Sequence, residues 1–328
     1  YGYAGKWLMV DLGVTFGNDE TPGVDVIMPD IAFIEERRDV LAGLVLTHAH
    51  EDHIGAVQYL WPRLRCPVYA TPFTAALLRR KLADTGLADL PITVIPMEGR
   101  FRVGPFDLEL ITLTHSIPEP NAVVIRTGQG TILHTGDWKL DPDPLVGPVA
   151  DEAALKAIGE EGVLALVGDS TNAMREGEAG SEGEVRGALL SLVQKCRNRV
   201  AVACFASNVA RLQTLVDVAE ATDRHIALVG RSLWRIVGAA RETDISTATS
   251  PSSTTARRHG CRATACCSSA PAARASRARH CRASPAGSTR RSCWRRGTPA
   301  SSRRGSSPAT SGRSPACTTI CCAAASRC

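Results

Sequence analysis

The sequence predicts a layered α/β sandwich, and three observations carry that reading. Short apolar runs alternate with helical stretches through the first half of the chain, without the regular strand–helix units of a TIM barrel. A dense group of candidate metal ligands, Thr47-His48-Ala49-His50-Glu51-Asp52-His53, follows directly on one of those runs. Composition changes abruptly after Thr243, which sets a bound on the part able to build a core.

In order along the chain, residues 7–12 are expected to form a strand with Asp11 at its end. A short helix over 31–38 and a buried strand over 41–46 follow. Residues two apart at a strand end point the same way, so His48 and His50 can grip one ion. The chain then enters a helix over 54–60 with Asp52 and His53 at its mouth, offset enough to reach a second ion. Imidazole and carboxylate donors suit zinc, or manganese where oxygen dominates. A strand over 67–70, a helix over 71–85, and strands over 92–95, 106–111, 122–125 and 130–134 come next. His115 and Asp137 each sit just past a strand, where α/β proteins build sites. Taken singly, His115 reads as an ordinary histidine, Asp137 as a turn residue and Asp11 as a weak signal. Their weight comes from their order relative to the histidine group. A second unit begins after a strand over 164–167. Its helices over 183–195, 208–220 and 233–241 alternate with strands over 199–204 and 226–229, as in a doubly wound sheet.

The net charge of +5 is an average of two unlike populations. Residues 1–243 carry 23 Lys and Arg against 32 Asp and Glu, whereas residues 244–328 carry 15 Arg, no Lys and the single acid Asp244. The later segment also holds nine of the 12 cysteines and lacks Leu, Val, Met, Phe and Tyr. Such a composition cannot bury enough apolar surface to offset the entropy of ordering it, so it is expected to be a disordered tail. A disulfide scaffold fits poorly with a first part that reads as cytoplasmic, and a basic RNA-binding tail fits poorly with the missing Lys and aromatics. Ala, Arg, Ser, Pro, Thr, Gly and Cys are what GC-rich codons yield out of frame, so a frameshift near Thr243 is the expectation. No apolar run approaches the roughly 18 residues that span a bilayer.

Asp11, then His48-x-His50-x-Asp52-His53, then His115, then Asp137 resemble the ligand order of the metallo-β-lactamase fold hydrolases. Within them, Gly23-Val-Asp-Val-Ile-Met-Pro-Asp30, His115-Ser-Ile-Pro118, Asp169-Ser-Thr-Asn-Ala173, Phe205-Ala-Ser-Asn208 and Gly230-Arg-Ser232 resemble the β-CASP nucleases, specifically the ribonuclease J family, over residues 5–243. The resemblance implies a metallo-β-lactamase αββα sandwich whose first part is 1–165, a partial β-CASP α/β domain over 166–243, and a truncated chain with a low-complexity tail over 244–328. It implies two zinc ions, with manganese or magnesium as alternatives. His48, His50 and His115 would hold one, Asp52 and His53 the other, and Asp137 both, with Asp52, His53 and Asp137 serving catalysis and Asp11 orienting a ligand histidine. Phe205, Ala206 and Ser207 would bind an RNA phosphate, although Ser207 and Asn208 also read as a helix cap. Asp169 would be the acidic residue of the second domain, with a turn role as its plain alternative.

The implied activity is 5′–3′ exonuclease and endonuclease cleavage of RNA by a hydroxide activated between two metals, in cytoplasmic RNA decay and rRNA processing. Histidines that complete the family's second metal site, and its oligomerisation region, have no counterpart here. The alternative is therefore an inactive fragment retaining at most one zinc site. A hydrolase of thioesters or lactams is disfavoured by the strings at Asp169 and Phe205.

Overall fold

A computed structural model describes residues 1–177 and 179–245, and the backbone of 320–322. The first stretch contains β1 (Gly2–Tyr3), β2 (Lys6–Val10), a hairpin of β3 (Thr15–Phe16) and β4 (Val26–Ile27), α1 (Ala32–Glu35) and β5 (Leu41–Val45). Next come α2 (Glu51–Ile54), α3 (Val57–Leu64), β6 (Val68–Ala70), α4 (Pro72–Leu82) and β7 (Ile92–Val94). Then follow β8 (Arg100–Val103), β9 (Phe106–Thr112), β10 (Asn121–Thr127), β11 (Gly130–His134), α5 (Glu152–Glu161) and β12 (Ala165–Val167). The last group is α6 (Glu182–Gln194), β13 (Val200–Val202), α7 (Val209–Ala221), α8 (Arg231–Glu242) and β14 (Ile320–Cys322).

Two five-stranded sheets, β1-β2-β5-β6-β7 and β12-β11-β10-β9-β8, form the centre. The pairs from β2 to β7 are parallel, and β5 reads as a nearly continuous apolar run because helices and the second sheet cover both its faces. Leu8, Val45, Phe106, Leu108, Leu110, Val123 and Ile125 fill the space between the sheets. Helices α3 and α4 cover the outer face of the first sheet through Val57, Leu60, Phe73 and Leu78. Ile158 of α5 packs on Ile111, Ala122 and Val124 across the outer face of the second. The result is the expected αββα sandwich.

The later helices do not stand apart. Leu233, Ile236 and Val237 of α8 share one core with Leu77 and Leu78 of α4. Arg80 pairs with Glu242 at 2.8 Å and Arg235 with Asp84 at 2.9 Å at the same seam. Buried Asp141 ties the other end, accepting from the Glu182 N–H at the start of α6 at 3.1 Å and pairing with Lys139 at 2.7 Å.

Several expectations are corrected. Asp52 and His53 lie inside a short helix rather than at the mouth of a helix over 54–60. The Leu12 and Val14 N–H groups reach the His53 and Glu51 carbonyls at 2.7 and 3.0 Å, so α2 ends and α3 restarts after it. The β3–β4 hairpin, β8 and α5 were not foreseen, although Asp151 before α5 is a legible cap, its carboxylate accepting from the Ala154 N–H at 2.8 Å. Residues 226–228 are not a strand, since no described neighbour takes their backbone groups in a ladder, and β13 pairs antiparallel with β14 instead. The doubly wound pattern is therefore absent among the described residues. The expected frameshifted tail over 244–328 lies outside the described residues, apart from 244–245 and the backbone of β14.

Candidate metal centre

Four strand ends meet at one edge of the sandwich. β5 runs out into His48 and His50, β9 leads to His115, β11 to Asp137, and β2 to Asp11. Backbone fit, not side chains alone, makes this meeting possible. A Cβ on Gly13 would overlap the Asp52 carbonyl, so a bare backbone is required where the 12–14 segment lies against α2. Gly136 turns the chain at φ +58° against Thr47, which aims Asp137 into the cluster.

His48, His50, His115 and Asp137 bring one donor atom each to within 4.8 Å of one another. The His50 Nδ1 lies 3.1 Å from the His48 Nε2 and 3.1 Å from the His115 Nε2. Donors about 2.0–2.1 Å from a tetrahedral zinc stand about 3.3 Å apart, so this spacing and this donor set fit such an ion. Burial drives the group toward neutral imidazole, the form that ligates. It places His48 well below its ordinary value, with neighbouring histidines adding to the effect. His50 falls to about 3 through burial and then His115 and His53, and burial lowers His115.

Asp52, His53 and Asp137 form a second group, sharing Asp137 with the first. The His53 Nε2 is 3.3 Å from Asp137 and 3.8 Å from Asp52, whose side chain is 62% exposed. Its Nδ1 lies 2.7 Å from the Asp11 carboxylate. Burial works against a proton on His53, but the Asp11 and Asp137 carboxylates outweigh it and raise it to about 10. In turn His53 holds the Asp137 carboxyl below its usual range.

The profile of the metallo-beta-lactamase superfamily matches residues 2–205, which contain every one of these donors. The chain belongs to that superfamily. The profile of the ribonuclease J beta-CASP domain matches residues 197–259, past the composition change at 243. Ribonuclease J of Sinorhizobium meliloti is 48% identical over 254 residues, covering 76% of this chain and 45% of the relative. That of Mycolicibacterium smegmatis is 44% identical over 243 residues, covering 74% and 43%. That of Thermus thermophilus is 40% identical over 235 residues, covering 69% and 41%. The chain is thus a ribonuclease J homologue that spans under half the length of these relatives. A protein of unknown function from Enterococcus faecalis V583 shares the fold, at TM-score 0.50 and 18% identity over 72% of this chain and 62% of that one. No helix among the described residues is long and apolar enough to cross a membrane.

The superfamily cluster recruits residues that sequence reasoning passed over. Asp11, at φ +61°, accepts from the Thr47 N–H and hydroxyl at 2.8 Å each, and that hydroxyl lies 3.0 Å from the His48 Nδ1. Thr47 thus links Asp11 to a second histidine. Ser116 lies 3.4 Å from the His50 Nε2. Glu119, also in the left-handed region at φ +55°, accepts from the Phe73 N–H at 2.8 Å and pins the His115 loop to the start of α4. A short polar residue beside a ligand was the only available signal for Thr47 and Ser116.

Asp169 lies outside both donor groups. Its N–H donates to the Thr135 hydroxyl at 3.1 Å and its carboxylate accepts from the Thr171 N–H at 2.7 Å, which closes a turn. Phe205, Ala206 and Ser207 form the turn before α7. The Ser207 backbone lies near enough to the His50 ring to favour its protonated form, while Asn208, not Ser207, caps the helix, its side chain accepting from the Arg211 N–H at 2.7 Å.

Proposed function

We propose that this chain represents a metal-dependent ribonuclease of the ribonuclease J type, cutting RNA phosphodiesters as a 5′–3′ exonuclease and endonuclease in cytoplasmic RNA decay and rRNA processing. The observation that supports it is the convergence of His48, His50, His115 and Asp137 in a chain closely similar to ribonuclease J. We read 1–165 as the first part of the catalytic core and 166–243 as the β-CASP unit. His48, His50, His115 and Asp137 would hold one divalent ion, zinc by donor type, with manganese or magnesium as alternatives. Asp52, His53 and Asp137 would hold a second. Such ions supply Lewis acidity toward a phosphoryl oxygen and make water more acidic.

The chain's own side chains do the rest. Asp11 and Thr47 orient His53 and His48, as the outer partners of ligand histidines do. Asp137 serves both donor groups, so it sets their separation. The 205–207 turn presents backbone N–H groups at the start of α7, where a substrate phosphate is favourably held.

A second reading, a chain that holds one ion and cuts nothing, is favoured by one observation. The second group has three donors, one shared and one largely exposed. Incubating the purified chain with 5′-monophosphorylated RNA and zinc or manganese separates the two. Cleavage that disappears in His50→Ala supports the nuclease, and no cleavage above that variant supports the inert, metal-holding chain.

A further inference from the structure

A buried cation stands behind the donor cluster and belongs to neither donor group. Lys81, on α4, is the only buried lysine or arginine among the described residues. Its side chain is 7% exposed, and the other buried residues of α4 are apolar apart from Thr74. An ammonium taken out of water is costly unless it is paired. Lys81 has one partner among the described residues, the carboxylate of Glu51, to which it donates. Glu51 opens α2, between His50 of the first donor group and Asp52 of the second. A helix of four residues has no persistence of its own, so α2 stands where its attachments put it. Two of these are backbone contacts from one side, the Leu12 and Val14 N–H groups on the His53 and Glu51 carbonyls at 2.7 and 3.0 Å. The third comes from α4 and grips a side chain. Successive residues of a helix are turned about 100° apart, so holding the Glu51 side chain fixes the roll of α2 and the direction of Asp52 and His53. The other end of α4 is tied as well, by the Phe73 N–H on Glu119 of the His115 loop at 2.8 Å. Phe73 and Lys81 lie about 12 Å apart along a helix, so α4 braces the His115 loop at one end and α2 at the other.

We propose that Lys81 is a positioning residue for the second donor group: through Glu51 it sets the roll of α2, and so the reach of Asp52 and His53 toward an ion shared with Asp137. This rests on the reading of Asp52, His53 and Asp137 as a metal site and adds the residue that holds two of them in place. Stability alone gives little reason for the pair, since a buried ion pair is often no more stable than an apolar residue of similar volume. Its contribution is direction, because a buried ammonium with one carboxylate to meet admits few placements of α2.

The test titrates the full 328-residue chain with manganese, which favours carboxylate and imidazole over the thiolates of the cysteine-rich segment. Free manganese is read by electron paramagnetic resonance, and the metal-free chain is melted in parallel. Lys81→Met keeps the length of the side chain and removes its charge. It should weaken the second, weaker binding step about tenfold, as loss of the outer partners of a metal site does. The tighter step should stay as in the parent, and the metal-free transition should be unchanged or raised. Lys81→Arg, which keeps the charge, should retain most of the weaker step. Glu51→Gln should weaken it, and the double variant with Lys81→Met should lose no more than the larger single loss, because the two residues act as one unit. Parent-like binding of both ions by Lys81→Met overturns the proposal and leaves the two-ion reading standing. A lowered metal-free transition, or an equal loss in both steps, also overturns it, since either makes Lys81 a general contact of the fold. A parent that binds a single ion removes the second metal site and the proposal with it.

Discussion

The two halves of the donor cluster share Asp137 and differ in almost everything else. His48, His50 and His115 are mutually close, burial holds them neutral, and hydroxyls of Thr47 and Ser116 touch two of them. His53 is only a ring away from His48, at 4.0 Å between centroids, yet it sits between two carboxylates and keeps its proton to about pH 10. His48 and His53, chemically identical and five residues apart, thus reach opposite states. What separates them is the environment: apolar burial for one group, Asp11 and Asp137 for the other. The first group presents neutral imidazoles, the form that ligates, whereas His53 would have to give up its proton before it could hold an ion.

The largest expected effect removes both halves together. Gly13→Ala forces a Cβ into the Asp52 carbonyl and pushes α2 outward. Overpacking costs about 1–3 kcal/mol and occasionally more, and thermal unfolding with zinc analysis should show a lowered transition and loss of bound zinc. Parent-like stability and zinc content would mean that α2 is not held where the two halves require it.

A smaller and more selective effect sharpens the contrast. In an equilibrium zinc titration, His50→Ala should abolish the tighter binding step, while His53→Ala should leave that step in place and remove only the weaker one. If His53→Ala removes all binding, the halves act as one unit and the distinction made here is wrong. Smaller still is Asp11→Asn, which keeps the shape but weakens the hold on His53. Loss of such an outer partner lowers metal affinity about tenfold to a hundredfold, and the decrease should fall on the weaker step. An equal decrease in both steps would point to Thr47 relaying the change to His48.

Much of the site was legible from residue order. Three histidines and two acids within seven residues after an apolar run require few alternatives, and His115 and Asp137 follow strands as expected. What escaped is instructive. The short α2 could not be foreseen because its end is set by hydrogen bonds to residues 12–14, far away in sequence. A strand over 226–229 was expected from apolar content alone, but residues 226–228 have no ladder partner among the described residues, and only Val229 forms a bridge. Glu119 reads locally as a charge between two prolines. Only its meeting with the Phe73 N–H makes it an anchor for the His115 loop.

By itself the sequence determined which donors exist, the strand ends on which they sit, the superfamily to which their order belongs, and the contrast in composition across Thr243. These are properties of order and periodicity along one chain. The tertiary structure alone decided that Asp137 stands in both donor groups, that His50 and His53 hold protons so differently, and that Glu119 reaches the Phe73 N–H. Ligation, protonation and exposure depend on distances through space and on what excludes water, and neither is defined until the two sheets and the later helices are packed.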